Sequence, residues 1–304
     1  MQFESIGLIG YGEVGKIFSA GLKAPSGVSS MSAWDLKFSN PAIQATELAH
    51  AALSGVNACA SMQALFESSQ ASALILSAVT ASNTLAVAQQ AAKHMRPGSV
   101  FLDLNSASPG TKQQCAALIE ACGARYVEAG VMTSVPPYGI KTPMLLGGPL
   151  AAELAPLLVA WGMDAKAVSE KLGVASAIKM CRSVMIKGLE ALVIESYTTA
   201  RAYGVEDHVL PTLAETFPSI DWEKTGAYFF SRVVQHGQRR AEEMREAANT
   251  VRESGFEPFM TASIADKQQW VATQAKAGVF EDVGKRARWQ DYADKLLMHK
   301  KLPK

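Results

Sequence analysis

The chain has 304 residues, enough for about two domains. It is 48% hydrophobic with a formal net charge of +1, a balance that argues against a nucleic-acid or membrane-surface partner. No apolar run approaches the roughly 18 residues that span a bilayer, and no basic-then-apolar leader opens the chain, so a cytoplasmic location is expected.

The first element is a short apolar strand, Ser5–Ile9, followed by Gly10-Tyr11-Gly12-Glu13-Val14-Gly15 and an apolar-periodic helix carrying Val14, Ile17, Phe18 and Leu22. This is G-x-G-x-x-G at a strand-to-helix turn. Gly10 permits the tight turn, Gly12 leaves room for a pyrophosphate, and Gly15 lets the helix pack close to the sheet. The helix N-terminus offers N–H groups and a positive dipole end to phosphates. Gly10, Tyr11, Gly12, Glu13, Val14 and Gly15 are therefore expected to bind a dinucleotide. A second strand, Ser29–Trp34, ends in Asp35, twenty residues after Gly15, where a ribose-binding carboxylate belongs. That carboxylate repels a 2′-phosphate, so NAD is favoured over NADP, although Lys37 offers a phosphate a cation. A solvated turn acid is the plainer alternative for Asp35.

Further strands are expected at Val56–Cys59, Leu74–Val79, Val100–Asp103, Arg125–Ala129 and Pro143–Leu146, with helices between them. Asn40-Pro41 and Ser108-Pro109 each place a capping side chain before a proline at a first helical position. The alternation predicts a doubly wound, mostly parallel sheet over residues 1–165, a Rossmann domain. After Gly162 strand signals are absent. A helix is expected over Ala175–Tyr203, interrupted only by Gly188, then Asp207–Phe217, Lys224–Arg252 and Phe259–Gln274. Residues 166–304 thus read as an all-α domain opened by a long linking helix. The basic segment Lys295–Lys304 reads as a solvated tail. Apolar faces left by the long helix and the small domain predict a homodimer. Cys59, Cys115, Cys122 and Cys181 lack C-x-x-C spacing and, with five scattered histidines, compose no metal site, so reduced thiols are expected.

Three motifs occur in order: the N-terminal glycines, Asp103-Leu104-Asn105-Ser106-Ala107-Ser108-Pro109, and Gly173-Val174-Ala175-Ser176-Ala177-Ile178-Lys179. In these the chain resembles the β-hydroxyacid dehydrogenases, which include 3-hydroxyisobutyrate and 6-phosphogluconate dehydrogenases. The stretch His236-Gly237-Gln238-Arg239-Arg240-Ala241-Glu242-Glu243-Met244 resembles a subgroup of phosphogluconate-dehydrogenase-like proteins. The resemblance implies an NAD(P)-dependent dehydrogenase acting on a hydroxy acid or related alcohol.

It also implies roles. Lys179 matches the catalytic lysine. Oxidising an alcohol needs a base for the hydroxyl proton as hydride leaves, and an amine serves if burial and nearby cations lower its pKa. Asn105 and Ser106 are implied to contact the nicotinamide ribose and substrate, though Ser106 also suits helix capping. Val79 and Thr80 would line the adenosine half. Ser183 stands where the family carries a substrate-binding Asn. Lys187 either assists Lys179 and an acidic substrate or pairs with Glu190. His236, Arg239 and Arg240 either hold an anion or pair with Glu242, Glu243 and Glu246. The ring run Tyr228-Phe229-Phe230 reads as core, with one ring as a candidate lining of the pocket.

Two departures carry information. Decarboxylating members have a Glu seven residues after the lysine, and this chain has Ile186, which cannot transfer a proton. Simple hydride transfer is therefore expected, without decarboxylation. The family's Ser-Gly-Gly carboxylate turn is replaced by Met132-Thr133-Ser134, which retains donors but loses the glycines. Met132, Thr133 and Ser134 are expected to line a site for a larger or less polar substrate. An imine reductase shares this architecture but usually lacks the lysine. A non-catalytic dinucleotide-binding regulator is the remaining alternative.

Overall fold

The computed structural model describes residues 1–70, 72–284 and 286–299. The chain divides into two compact units, Met1–Met180 and Cys181–Lys304.

The first unit alternates strand and helix. In order these are β1 (Ser5–Ile9), α1 (Glu13–Leu22), β2 (Ser30–Trp34), α2 (Gln44–Leu53), β3 (Asn57–Ala58), α3 (Met62–Ser68) and β4 (Ala73–Ser77). There follow α4 (Thr84–Ala92), β5 (Val100–Asp103), α5 (Pro109–Ala121), β6 (Arg125–Val131), β7 (Met144–Gly147), α6 (Ala151–Ala160) and β8 (Ala165–Ser169). The sheet order is β3-β2-β1-β4-β5-β6-β7-β8. All neighbours are parallel except β6 and β7.

Strand periodicity gives the sheet two cores. Along β4, Leu74 and Leu76 enter one with Phe18 of α1 and Leu154 of α6. Ala73 and Ile75 enter the other with Leu65 of α3, Val87 of α4 and Ile119 of α5. Burying each such aliphatic side chain is worth about 1.5–3 kcal/mol, and both faces are covered, as a parallel sheet requires.

Two local expectations are corrected and a third holds. Strands do not end at Gly162, because β8 adds an edge strand. Its Ala-Lys-Ala-Val-Ser composition has little β-propensity, and edge strands tolerate it. Asn40-Pro41 does not open a helix: Asn40 Oδ1 accepts the Ala42 N–H in a local turn, and α2 begins at Gln44. Ser108-Pro109 does open one, with Ser108 Oγ accepting from the Thr111 N–H and Pro109 in the first turn.

Helix α7 (Val174–Tyr203) runs across the boundary between the units. The second unit continues with α8 (Glu206–Thr216), α9 (Trp222–Glu253), α10 (Phe259–Lys276) and α11 (Trp289–Met298). Its core includes Ile194, Tyr197, Phe230, Val233, Val271 and Trp289. Gly237 lets α9 and α10 approach, since a Cβ there would lie 2.8 Å from the Gln268 carbonyl oxygen. Of the three adjacent rings only Phe230 is buried; Phe229 is half-buried and Tyr228 exposed. The basic tail is corrected in part: Lys295 lies in α11, whose buried Trp289, Tyr292, Ala293 and Leu296 form a helical stripe. Residues 300–304 lie outside the described residues.

Candidate active site

Strand order reverses between β1 and β4, and open α/β sheets bind ligands beyond the carboxyl ends of strands at such a point. Gly10 follows β1 here, and Ala78, Val79 and Thr80 follow β4. Gly10 has φ +97°, and a Cβ on it would lie 2.3 Å from the Ala78 carbonyl oxygen. A Cβ on Gly15 would lie 2.2 Å from the Gly10 carbonyl oxygen. Packing thus accounts for both. Gly12 differs, because a Cβ there would meet only Lys37 Nζ, at 3.9 Å. Gly12 is also the N-cap of α1, and no side chain caps that helix. Its first N–H groups lack intrahelical acceptors, beside open space that the protein leaves unfilled. A dinucleotide pyrophosphate fits this cradle in shape and charge.

Asp35 closes the loop from beneath. Its Oδ2 accepts the Tyr11 N–H at 2.6 Å and its Oδ1 the Lys37 N–H at 2.9 Å. A carboxylate has about four acceptor positions, so two remain for ribose hydroxyls. Tyr11 itself faces inward. Its ring is fully buried against Phe38, and its hydroxyl bonds His50 Nδ1 at 3.2 Å. With its N–H on Asp35, Tyr11 supports the loop from within. Glu13 is exposed and Val14 packs on the core.

The β5 end is fixed by a buried polar cluster. Asp103 Oδ1 takes Lys112 Nζ at 2.9 Å and the Asn105 N–H at 2.9 Å, and Oδ2 takes the Tyr126 hydroxyl at 2.6 Å. Burial, with Asp103 beside it, pushes the Tyr126 phenol well above its ordinary range. Asn105 spends both ends of its amide inside the protein. Oδ1 accepts the Val79 N–H at 2.6 Å and Nδ2 donates to Ser77 Oγ at 2.9 Å. It ties β4 to β5 and sets the position of Val79, while Thr80 is exposed.

Just beyond Asn105, Ser106 Oγ accepts a hydrogen bond from Lys179 Nζ at 2.6 Å. The start of α7 makes this contact possible. Glu128 Oε1, on β6, accepts the N–H groups of Gly173 and Ala175 at 2.8 and 3.1 Å. Gly130, two residues on, lets the helix close in: a Cβ there would lie 3.0 Å from the Ala175 carbonyl oxygen and 3.5 Å from Lys179 Cβ. The amine and hydroxyl, 73 positions apart in sequence, thus meet at the strand ends. Past β6, the Met132 N–H donates to the Pro143 carbonyl at 2.9 Å. Met132 and Ser134 are half-buried, Thr133 is exposed, and this turn holds no glycine.

Ser183, Lys187 and His236 belong to the second unit. Ser183 is buried and His236 half-buried. Lys187 is buried against Glu243 at 2.7 Å, and Arg239 also reaches Glu243, at 3.4 Å. The suggested Lys187–Glu190 pairing is corrected, because Glu190 takes Arg240, with Nε to Oε2 at 2.9 Å. Gln268 joins Glu190 at 3.3 Å. The expected partners of Arg240 were on its own helix, and the bond runs instead to α7.

Sequence reasoning missed Glu128, Lys112 and Tyr126. One signal was available for Glu128, a lone acid inside an otherwise apolar strand. Lys112 gave none, since a lysine three residues into a capped helix ordinarily faces water.

Residues 5–172 match the family described as the NAD binding domain of 6-phosphogluconate dehydrogenase. Residues 200–271 match a domain of unknown function. A conserved hypothetical protein from Sinorhizobium meliloti is 36% identical, with a TM-score of 0.75 over 98% of this chain and 97% of that one. The conserved protein MTH1747, described as structurally similar to 3-hydroxyacid dehydrogenases, is 28% identical, with a TM-score of 0.65 over 89% and 99%. In fold alone the chain is similar to the 3-hydroxyisobutyrate dehydrogenase of Mycobacterium tuberculosis, solved with L-serine. That protein is 17% identical, with a TM-score of 0.67 over 98% and 100%. It is likewise similar to a reductive aminase of Aspergillus terreus, solved with NADPH4, cyclohexanone and allyl amine, at 19% identity and a TM-score of 0.55 over 98% and 100%.

Proposed function

Because the chain belongs to the family of the NAD-binding domain of 6-phosphogluconate dehydrogenase, we propose that it is an NAD(P)-dependent oxidoreductase interconverting an alcohol, such as a hydroxy acid, and its carbonyl. The observation that carries this reading is Lys179 Nζ held by Ser106 Oγ at 2.6 Å, at the end of β5. The nicotinamide, when bound, accepts or donates the hydride. Gly12 and the first turn of α1 would hold the pyrophosphate, and Asp35 the ribose hydroxyls.

Lys179 performs the proton work. As a neutral amine it takes the hydroxyl proton during oxidation, and as an ammonium it returns the proton to the forming alkoxide during reduction. Ser106 would fix the direction of the amine and touch the same substrate oxygen. Ile186 offers no acid to protonate an enol, so the reaction ends at the carbonyl. Met132, Thr133 and Ser134 bound the substrate side. Asp35 favours NAD over NADP. Lys179 also weighs against an imine reductase, and it would have no task in a non-catalytic regulator.

A cytoplasmic enzyme would keep its cysteines as thiols, and among the described residues Cys59, Cys115, Cys122 and Cys181 form no disulfide. Among the described residues no helix is long and apolar enough to cross a membrane. A homodimer would cover Met185, Leu189 and Leu192, exposed on α7. Nicotinamide absorbance, followed with NAD or NADP and a panel of hydroxy acids and alcohols, tests the reading. Turnover that depends on Lys179 is expected, and turnover only of imines would replace the reading.

A further inference from the structure

Glu128 lies wholly inside the first unit, with no exposed surface. Its Oε1 holds two N–H groups at the start of α7, and its Oε2 meets no hydrogen-bond partner among the described residues. A carboxylate buried with one oxygen unpaired is costly. Packing alone does not call for it, since a glutamine would offer the same carbonyl oxygen to Gly173 and Ala175. The surroundings are shaped to admit the group. A Cβ on Gly147 would lie 2.4 Å from Glu128 Oε1. Gly173 adopts φ +98°, turning the chain so that its N–H meets the carboxylate.

We propose that Glu128 is a positioning residue for Lys179, its carboxylate anchoring the first turn of α7 and offsetting the positive end of that helix beside the amine. The proposal rests on Lys179 as the acid–base group. Glu128 and Gly130 are two strand positions apart on one face, roughly 7 Å, and Lys179 packs on Gly130. The carboxylate is therefore on the order of 10 Å from the amine, close enough to stabilise the ammonium. Other titratable groups near this corner are Tyr126 on β6, Asp103 on β5 and Lys112 on α5. Asp103 and Lys112 pair with each other, so their charges largely cancel at this range.

The test is independent of turnover and of any substrate. Lys179 is labelled with acetic anhydride across a pH series, and its modification is read by mass spectrometry with exposed Lys93 as internal reference. Normalising each profile to its high-pH plateau removes changes in accessibility and leaves the free-amine fraction. Removing the negative charge in Glu128→Gln should lower the midpoint by about half to one pH unit, as expected for one charge at this range. Below the midpoint, normalised labelling should rise roughly three- to tenfold. An unchanged midpoint in folded Glu128→Gln overturns the proposal. Should that variant not fold, Glu128→Asp keeps the charge and shortens the reach. Faster hydrogen exchange at Gly173 and Ala175 with an unmoved midpoint is then expected, and unchanged exchange overturns the proposal. Because labelling needs no catalysis, either result stands even if Lys179 proves not to be the acid–base group.

Discussion

The carboxylate of Asp35 accepts the backbone N–H of Tyr11 at 2.6 Å, so the acid that follows β2 also holds the glycine loop that follows β1. In the proposed function this one residue would couple loop shape to cofactor choice. Asp35→Asn keeps an acceptor for Tyr11 but removes the charge that repels a 2′-phosphate. Fluorescence titration with NADH and NADPH should show the parent favouring NADH and the variant narrowing the difference. Equal or tighter NADPH binding by the parent would contradict the assignment, with Lys37 the cation to examine next.

Gly12 and Gly15 should separate cleanly. Serine is a favoured N-cap, so Gly12→Ser should leave stability unchanged or raised. Its hydroxyl would take the N–H groups proposed to bind the pyrophosphate, and NADH should bind tenfold or more weakly, about 1.4 kcal/mol. Gly15→Ala drives a methyl onto the Gly10 carbonyl and should cost about 1–3 kcal/mol of stability or more. Thermal melts with and without NADH distinguish the two. A Gly12→Ser protein that binds NADH as the parent does would remove the loop from the cofactor site.

Much of the Rossmann unit was legible because its signals are local. Gly10, Gly12, Gly15, Asp35 and the Ser108-Pro109 cap each report a backbone need at a fixed offset. Three things were hidden. β8 lacks β-branched and aromatic residues apart from Val168, so its composition does not announce a strand. The α11 stripe of Trp289, Tyr292, Ala293 and Leu296 was present but masked by the basic residues beside it. Long-range pairings had no sequence signal at all. The partner of Glu190 lies 50 positions away in Arg240, and that of Lys187 is Glu243. Spacing along one helix suggested a Lys187–Glu190 pair, and tertiary packing chose otherwise.

The Glu190–Arg240 pair is buried, with side chains 2% and 8% exposed. Removing one partner strands the other charge in a low-dielectric interior. Arg240→Met or Glu190→Leu should each cost about 3–5 kcal/mol, and the double variant should recover much of that loss. Urea denaturation of the three proteins measures it. A single variant as stable as the parent would show the pair to be hydrated or dispensable.

Substrate size should follow from Met132-Thr133-Ser134. With no Ser-Gly-Gly turn, a small carboxylate loses a hydrogen bond to a charged partner, about 1.5–3 kcal/mol. Small hydroxy acids such as 3-hydroxyisobutyrate should be poorer than bulkier or less acidic alcohols by roughly tenfold to a hundredfold or more. Comparing kcat/KM across a size series measures this. A series led by its smallest hydroxy acid would mean that the carboxylate is held elsewhere.

The most direct measurement is on Lys179. Lys179→Ala should lower kcat on the best substrate of that series by about 10²- to 10⁴-fold, as loss of a general acid–base group does. NADH affinity, measured in the same preparation, should stay within about twofold of the parent, about 0.4 kcal/mol, because in the proposed function the glycine loop and Asp35 would hold the cofactor. Turnover of Lys179→Ala near that of the parent, with NADH still bound, would contradict the assignment of the lysine to the chemistry.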